Sequence, residues 1–227
     1  MLGNIIRSYF LIYSFFLKAS LLKSSLLFAS KVSKLKAKRI LTQEDLVDTV
    51  ARAKKGHSDV CHIIGSGWSL SKSLTKVLPD DYVIGFNYSG LCSLRFNLYI
   101  AEFGGFSVSN ASFDHLTIAK ELSRRDNSLI IFKNIWEDKN DIEFLNQYWV
   151  DLAWIIRDRL FLLPRLNHLR KVLNLMLNDK SNFFPQCVSS VVFAILLAYK
   201  SGFKSVVVHG VDFGGSYFYE CDDFIPS

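Results

Sequence analysis

Glycine, serine, asparagine and aspartate residues that could bind a nucleotide are concentrated in three short stretches of this sequence. The first, Gly65-Ser66-Gly67-Trp68-Ser69, follows an apolar run and precedes a stretch with helical spacing. Glycine permits close approach of the backbone, and the N-terminus of a helix that Ser69 could cap favours an anion. The sequence therefore predicts a loop suited to phosphate. A plain tight turn is the alternative, because the full glycine pattern of dinucleotide or P-loop sites is missing.

The other two stretches place polar groups after predicted strands and at the start of a predicted helix. Asn87 follows the apolar residues 82–86, where its amide could donate and accept hydrogen bonds with a base or a sugar. Ser189 and Ser190 begin an apolar helix, and Asp212 comes just after the last apolar run. The alternatives are a turn asparagine, helix-capping serines and an aspartate that hydrogen-bonds its own loop.

Strand-like and helix-like segments alternate after residue 41, which predicts an α/β fold with a parallel sheet. The predicted strands are residues 60–64, 82–86, 98–101, 129–132 and 206–209, and the predicted helices are residues 42–55, 70–78, 113–125 and 188–200. Aromatic and leucine spacing over about residues 141–180 predicts a helical insertion or lid. Ligands of open parallel sheets bind at the carboxyl ends of the strands, which is where the three polar stretches fall.

The length and charge of the chain restrict its class. It has 227 residues, half of them hydrophobic, which suits one main domain with one core. The formal charge of +6 comes from residues 1–43, which contain eight Lys or Arg and no acidic residue, whereas the remainder has 19 basic and 21 acidic residues. A nucleic-acid-binding domain is therefore disfavoured, because the globular part has no excess positive charge with which to bind a polyanion.

Residues 1–41 form a basic arm. Its longest uncharged run, residues 8–17, is about half of the roughly 20 residues that a helix needs to cross a bilayer. Apolar clusters between single lysines predict an amphipathic helix that contacts an anionic membrane surface peripherally. A cleaved targeting peptide and a helix packed on its own domain are the alternatives. Residues 42–227 are predicted to form one nucleotide-binding domain.

Cysteine and histidine positions favour no metal site. Cys61, Cys92, Cys187 and Cys221 are scattered without metal-ligand spacing, which favours buried thiols in a reducing compartment. No metal and no other cofactor is predicted. His209 ends an apolar run near the predicted site and is a secondary candidate for a catalytic base, although a histidine in such a run is more often a hydrogen-bonded core residue.

Taken in order, the three stretches resemble the bacterial sialyltransferases of glycosyltransferase family 42, the lipooligosaccharide type of Campylobacter and Haemophilus. The Gly-Asn-Gly-Pro-Ser-Leu loop of that family corresponds to residues 65–70 here, and its strand ending in Cys-Asn corresponds to Phe86-Asn87. Its Thr-Ser-Gly helix start and its Gly-Ile-Asp-Phe turn correspond to Val188-Ser189-Ser190 and Gly210-Val211-Asp212-Phe213. The resemblance covers roughly residues 60–219.

The resemblance implies a Rossmann-like, GT-A-like single domain that transfers sialic acid from CMP-sialic acid, with inversion, to a lipooligosaccharide or capsule glycan. It implies a peripheral position at the cytoplasmic face of the bacterial inner membrane, where such glycolipid acceptors are assembled, and it leaves a homo-oligomer possible. Another acid sugar activated with CMP, such as Kdo, is an alternative donor.

The resemblance also assigns residues to the donor. It assigns the loop 65–69 to the phosphate region, Asn87 and Ser189 to the nucleotide and sugar, and Asp212 to the nucleotide. Ser190 is a further candidate for substrate binding. Tyr217 or Tyr219 would hydrogen-bond the departing phosphate, which a neutral phenol can do without a metal.

The sequence departs from the family at several positions. Ser66 and Trp68 replace the Asn and Pro of the first loop, and Glu102 stands where the family has an asparagine. The chain stops at Ser227, before the position of the histidine that serves the family as general base. Set against the family, the sequence therefore predicts a truncated chain. Two other functions stay open: a non-catalytic nucleotide-binding remnant, and a metal-dependent phosphotransferase of the pterin pyrophosphokinase-like type.

Overall fold

The structure is a computed structural model that describes residues 40–41, 43–102, 110–133, 153–156, 189–212, 215 and 217–220. Its strands are β1 (Ile40–Leu41), β2 (Val60–Ile64), β3 (Tyr82–Phe86), β4 (Leu98–Glu102), β5 (Leu129–Lys133), β6 (Ala153–Ile156) and β7 (Ser205–His209). Its α-helices are α1 (Gln43–Ala53), α2 (Asn110–Asp126) and α3 (Ser190–Lys200).

The described strands form one seven-stranded sheet in the order β1-β6-β5-β4-β3-β2-β7, and all of the neighbouring pairs are parallel. All five residues of β3 are buried. Continuous burial of β-branched and aromatic residues is expected where both faces of a parallel sheet are covered. The predicted α/β fold with a parallel sheet is therefore confirmed.

Helices pack on both faces of this sheet. On one face, Leu46 of α1 and Phe193 of α3 share a buried cluster with Ile63 of β2. On the other face, Leu122 of α2 shares a buried cluster with Tyr99 of β4. These two apolar layers hold the carboxyl ends of the strands at one edge, where the loops that follow β2, β3 and β7 come together.

The helix predicted over residues 70–78 is wrong, because this crossover between β2 and β3 consists of two 3-10 helices, Trp68–Lys72 and Leu74–Lys76. The segment is rich in serine, and the Ser73 hydroxyl donates to the Leu70 carbonyl at 3.1 Å. Such side-chain bonds compete with the regular helical pattern. Leu70 is the one buried residue of the first 3-10 helix, so an apolar stripe that would stabilise a longer helix is missing.

A second correction concerns the helical insertion predicted over about residues 141–180. Ala153–Ile156 forms strand β6, which pairs with both β5 and β1. A short apolar run does not distinguish strand from buried helix by its periodicity, and here pairing on two sides decides. The other residues of that predicted insertion lie outside the described residues.

The basic arm is described only at its end, where Ile40 and Leu41 form β1 rather than a helix. The rest of the amphipathic arm predicted for residues 1–41, residues 1–39, lies outside the described residues. Among the residues that are described, no helix is both long enough and apolar enough to cross a bilayer.

Two of the four cysteines lie in the described core, and both are buried and free. Burial raises the pKa of the Cys61 thiol to about 12 and that of Cys92 to about 11. The prediction of buried thiols is confirmed for these two residues, while Cys187 and Cys221 lie outside the described residues.

Candidate functional site

The strand order creates a switch point between β2 and β7. From β2 the sheet grows in sequence order through β3, β4, β5 and β6, whereas β7 lies on the other side of β2. Open α/β sheets bind ligands beside such a point, at the carboxyl ends of the strands. Gly65 follows β2, Asn87 follows β3 and Asp212 follows β7, so three of the predicted segments do meet at this edge.

The loop 65–69 is closed by the protein's own groups. The N–H of Gly65 donates to the His209 carbonyl at 2.8 Å, and the N–H of Gly67 donates to the Gly210 carbonyl at 2.7 Å. The Asp212 carboxylate accepts from the Ser69 N–H at 3.0 Å and from the Ser69 hydroxyl at 2.8 Å. The glycine donors of this loop therefore already bind backbone carbonyls, and those of Ser69 bind an anionic side chain of the same chain.

Both glycines of this loop are required by close packing. A Cβ added at Gly65 would lie less than 3.0 Å from the Gly210 carbonyl oxygen, and one at Gly67 would lie less than 3.0 Å from the Asp212 carboxylate. The expected α-helix N-terminus is absent here, because a five-residue 3-10 helix follows. The helix-dipole argument for phosphate at this loop therefore fails.

Tyr217 is fixed beside the same loop by the backbone. It forms an isolated antiparallel bridge with Gly67, and the N–H of Phe218 donates to the Ser66 carbonyl at 3.1 Å. The Tyr217 side chain is 47% exposed, so its phenol can reach a ligand. Tyr219 lies in the 3-10 helix Phe218–Glu220, and its side chain lies outside the described part of the structure.

Asn87 has the features expected of a ligand-binding residue. Its φ of 53° is in the left-handed region, which few residues other than glycine adopt. The hydroxyl of Tyr99 donates to its main-chain carbonyl and holds this conformation. Its side-chain oxygen, Oδ1, is buried and has no hydrogen-bond partner among the described residues. Buried polar atoms are usually paired, so this unpaired acceptor is a candidate contact for a ligand donor at this edge.

A cluster of side chains that the sequence did not single out lies beside Asn87. The Tyr88 hydroxyl donates to Asp114 Oδ2 of α2 at 3.0 Å. The Tyr88 ring is 5.0 Å from His115 and 6.2 Å from Tyr217, measured between ring centroids. Burial and the neighbouring Asp114 carboxylate raise the pKa of Tyr88, so this phenol remains protonated. No sequence motif joins Asp114 to Tyr88, because the contact depends on how α2 packs over β3 and β4.

Ser189 and Ser190 begin α3, which covers the opposite face of the sheet from α2. Ser189 is the N-cap of α3 and accepts from the Val192 N–H at 3.4 Å, which supports the capping interpretation. Ser190 is buried and accepts from Lys133 Nζ at 3.4 Å. Lys133 ends β5 and is fully buried; its position at a strand end is the one sequence signal that could have marked it. Its Cα partner across the sheet is Glu102, at the end of β4.

Comparisons with known protein families, with curated proteins and with solved structures found no match. Within the described residues, no group of three or more His, Cys, Asp or Glu side chains is arranged to hold a metal ion. The interpretation of the carboxyl edge therefore rests on its own geometry.

His209 belongs to a buried chain of polar groups that extends away from Asn87. Its Nε2 lies 2.7 Å from Nδ1 of His62, whose Nε2 lies 2.9 Å from Asp81 Oδ2. The Ser58 hydroxyl donates to Asp81 Oδ1 at 2.6 Å. Because a carboxylate only accepts hydrogen bonds, His62 donates from Nε2 to Asp81. When both histidines are neutral, His62 Nδ1 then accepts a hydrogen bond from His209 Nε2. The chain explains both histidines as paired core residues.

Burial, reinforced by His62 and Lys76, lowers the pKa of His209. The Asp81 carboxyl is also affected: burial acts to raise its pKa, but the hydrogen bonds from Ser58, the Leu78 N–H and His62 outweigh burial and lower it. The neutral His209 and the ionised Asp81 are therefore the forms that this part of the core stabilises.

A cavity of about 380 Å³ opens at the opposite, amino edge of the sheet, between residues 77–79 and 94–97. Two of its polar groups are paired within the protein, since His57 Nε2 lies 3.1 Å from the Asn97 amide and Asp81 belongs to the histidine chain. Arg95, which also lines this cavity, is exposed to solvent.

Proposed function

We propose that this protein is a glycosyltransferase that binds a CMP-activated acid sugar, CMP-sialic acid in the first instance, at the carboxyl edge of a Rossmann-like domain, and transfers the sugar with inversion to a glycan. The basic arm would hold the enzyme on the cytoplasmic face of a membrane that carries the acceptor. The sequence resemblance supplies the donor class, and the geometry around Asn87 supports a nucleotide-sugar site.

The buried, unpaired Oδ1 of Asn87 is the observation that carries this proposal. An unpaired buried acceptor costs roughly 1–3 kcal/mol, which a ligand N–H or O–H would recover. A cytosine amino group or a sugar hydroxyl provides such a donor. The exposed phenol of Tyr217, bridged to Gly67, is suited to donate to the phosphate that leaves with CMP.

In this proposal the loop 65–69 supports the site without binding the phosphate. Asp212 holds Ser69, and the Gly67 backbone holds Tyr217. An incoming phosphate at Ser69 would meet the Asp212 carboxylate, and two adjacent anions repel each other strongly in a partly buried position. We therefore propose that the donor binds over β3, near Asn87 and Tyr217.

The test is a calorimetric titration of the full chain with CMP, and with ADP as the nucleotide control, in metal-free buffer. Asn87→Gly removes the amide and keeps the positive φ, and we expect it to weaken CMP binding about tenfold, the value of one lost hydrogen bond. Asn127→Gly is the matched control, because Asn127 has a φ of 55° and lies in an exposed turn. It should leave CMP binding unchanged.

Each outcome separates the proposed function from its alternatives. No CMP binding by a cooperatively folded protein would reject the nucleotide-sugar proposal. Binding of ATP with magnesium-dependent turnover would instead support the phosphotransferase. CMP binding without release of CMP from CMP-sialic acid would support a non-catalytic binding protein.

A further inference from the structure

We propose that Asp114 is the general base that takes the proton from the acceptor hydroxyl. This inference rests on the proposed function, because it concerns the transfer step of that reaction. The structure brings the carboxylate of Asp114, which no sequence motif marks, into contact with Tyr88 next to Asn87.

The contacts of Asp114 suit this role. The carboxylate is half-buried, and it receives the Tyr88 hydroxyl on Oδ2 at 3.0 Å. Its other oxygen, Oδ1, has no hydrogen-bond partner among the described residues, so it can accept from an incoming hydroxyl. A base of this kind needs one group to orient it and one oxygen to receive the proton. Tyr88 provides the orientation, and it is the residue next to Asn87 in the chain.

The position of Asp114 also suits a displacement with inversion. Tyr88 contacts both residues, since its hydroxyl donates to Asp114 and its ring lies 6.2 Å from the ring of Tyr217. In the proposed complex the acceptor hydroxyl approaches the anomeric carbon from Asp114 and the phosphate departs toward Tyr217, because in-line displacement requires the two groups on opposite sides of that carbon.

The step balances without another reactant. The acceptor oxygen forms a bond to the anomeric carbon, and the bond from that carbon to the phosphate oxygen breaks, its electron pair leaving with CMP. The proton of the acceptor hydroxyl moves to Asp114 and is then lost to solvent. Water can replace the glycan acceptor in the same step, so CMP release from CMP-sialic acid measures it without knowledge of the acceptor.

The experiment compares CMP release by the full-length wild type and by Asp114→Asn, with CMP affinity measured on both. Removal of a general base reduces the rate by about 100-fold or more, so we expect that loss in kcat with KM and CMP affinity changed less than threefold. Added formate should restore part of the variant's rate.

Two variants on α2 serve as controls. Glu121→Gln removes another carboxylate of the same helix, one that is exposed and bonded to Arg124 at 3.1 Å, and it should keep the wild-type rate. His115→Asn tests the other proton acceptor beside Tyr88 and should keep the greater part of the rate. Thermal unfolding of each variant checks that the fold is retained.

The results that would overturn the inference differ from those that reject the proposed function. A wild type that binds CMP and releases it from the donor, with Asp114→Asn equally active, would eliminate Asp114 and leave the proposed function intact. Loss of activity in His115→Asn with full activity in Asp114→Asn would transfer the role to His115. A wild type that binds CMP but does not release it from CMP-sialic acid would also overturn the assignment of Asp114. Absence of CMP binding would reject both proposals.

Discussion

Two groups of polar side chains meet at the carboxyl edge of the sheet and differ in how their hydrogen bonds are satisfied. In the loop after β2, the Ser69 N–H and hydroxyl both bind Asp212, and the glycine N–H groups bind carbonyls of the chain after β7. After β3, the Asn87 side-chain oxygen is buried with no partner among the described residues. The loop has the glycines that suggest a phosphate site, but only the second group lacks a partner.

This difference separates a structural role from a binding role. A turn whose Gly65, Gly67 and Ser69 donors bind groups of the same chain stabilises the connection between β2 and β7. An unpaired acceptor in a left-handed backbone conformation lowers stability and is retained where a ligand recovers the loss. The predictions below test this contrast, beginning with the largest expected effect.

Gly65→Ala tests whether the loop is held as tightly as the packing indicates. The added methyl group would overlap the Gly210 carbonyl, and we expect a loss of about 3 kcal/mol in the free energy of unfolding. Gly56→Ala is the control, because a Cβ there meets nothing within 4 Å, and it should change stability by less than about 0.5 kcal/mol. Urea unfolding of both variants measures the difference, and equal stability would contradict the packing of the loop.

Asp212→Ala tests whether the loop is filled by the protein's own anion. Loss of two charge-assisted hydrogen bonds to Ser69 should lower stability by about 2 kcal/mol. Asp80→Ala is the control, because Asp80 is exposed, and it should change the free energy of unfolding little. The variant should also gain stabilisation from inorganic phosphate that the wild type lacks, because the Ser69 N–H is then open. Equal phosphate stabilisation of the two proteins in thermal unfolding would show that the loop binds phosphate with Asp212 present.

The histidine pair predicts a pH dependence of stability. Burial lowers the folded-state pKa of His209, so the unfolded chain takes up this proton first, at about pH 6.5. The stabilising contribution of neutral His209 is present above that pH and is lost as the pH falls through 6.5 and below. Asp81, whose pKa is lowered, acts in a separate window below about pH 4.

His209→Gln should therefore flatten the fall in stability between pH 7.5 and 5, measured from urea midpoints. The groups that face His209 are His62 on β2 and Lys76 in the 3-10 crossover, and His62 is in turn bonded to Asp81 before β3. The same slope in the variant and the wild type would assign the effect to another group.

The smallest expected effect is on the stability of the free protein when Asn87 is changed. Asn87→Gly keeps the positive φ but removes its strain, and it removes an unpaired acceptor; together these gains outweigh the greater flexibility of the unfolded chain, so we expect a stabilisation of about 1 kcal/mol. Asn127→Gly also relieves a left-handed backbone but removes no buried unpaired acceptor, so its gain should be smaller. A large destabilisation by Asn87→Gly alone would mean that the amide serves the fold rather than a ligand.

The buried strands could be predicted from sequence because continuous β-branched and aromatic runs have few alternatives. Val60–Ile64 and Tyr82–Phe86 were predicted with the observed bounds. Ala153–Ile156 was missed because its strand form depends on two distant partners. The two 3-10 helices over Trp68–Lys72 and Leu74–Lys76 were missed because serine side chains compete with helical hydrogen bonds. The spacing of apolar residues carries no signal of that competition.

The candidate site could be predicted only where it follows strand ends. The positions of Asn87 and Asp212 follow from their place after apolar runs. The bond from Ser69 to Asp212 spans 143 residues, so the sequence could not show that the glycine loop binds a side chain of its own chain. Asp114 and Lys133 carry no motif, and only the packing of α2 and the length of β5 bring them to this edge.

The measurement that tests the central contrast most directly is an amide-resolved NMR titration of the full chain with CMP. We predict that the largest shifts occur at Asn87, Tyr88 and Asp114, with small changes at Gly67 and Ser69, whose N–H groups are already bound. The largest shifts at Gly67, Ser69 and Asp212, with Asn87 unchanged, would contradict this and return the phosphate to the glycine loop.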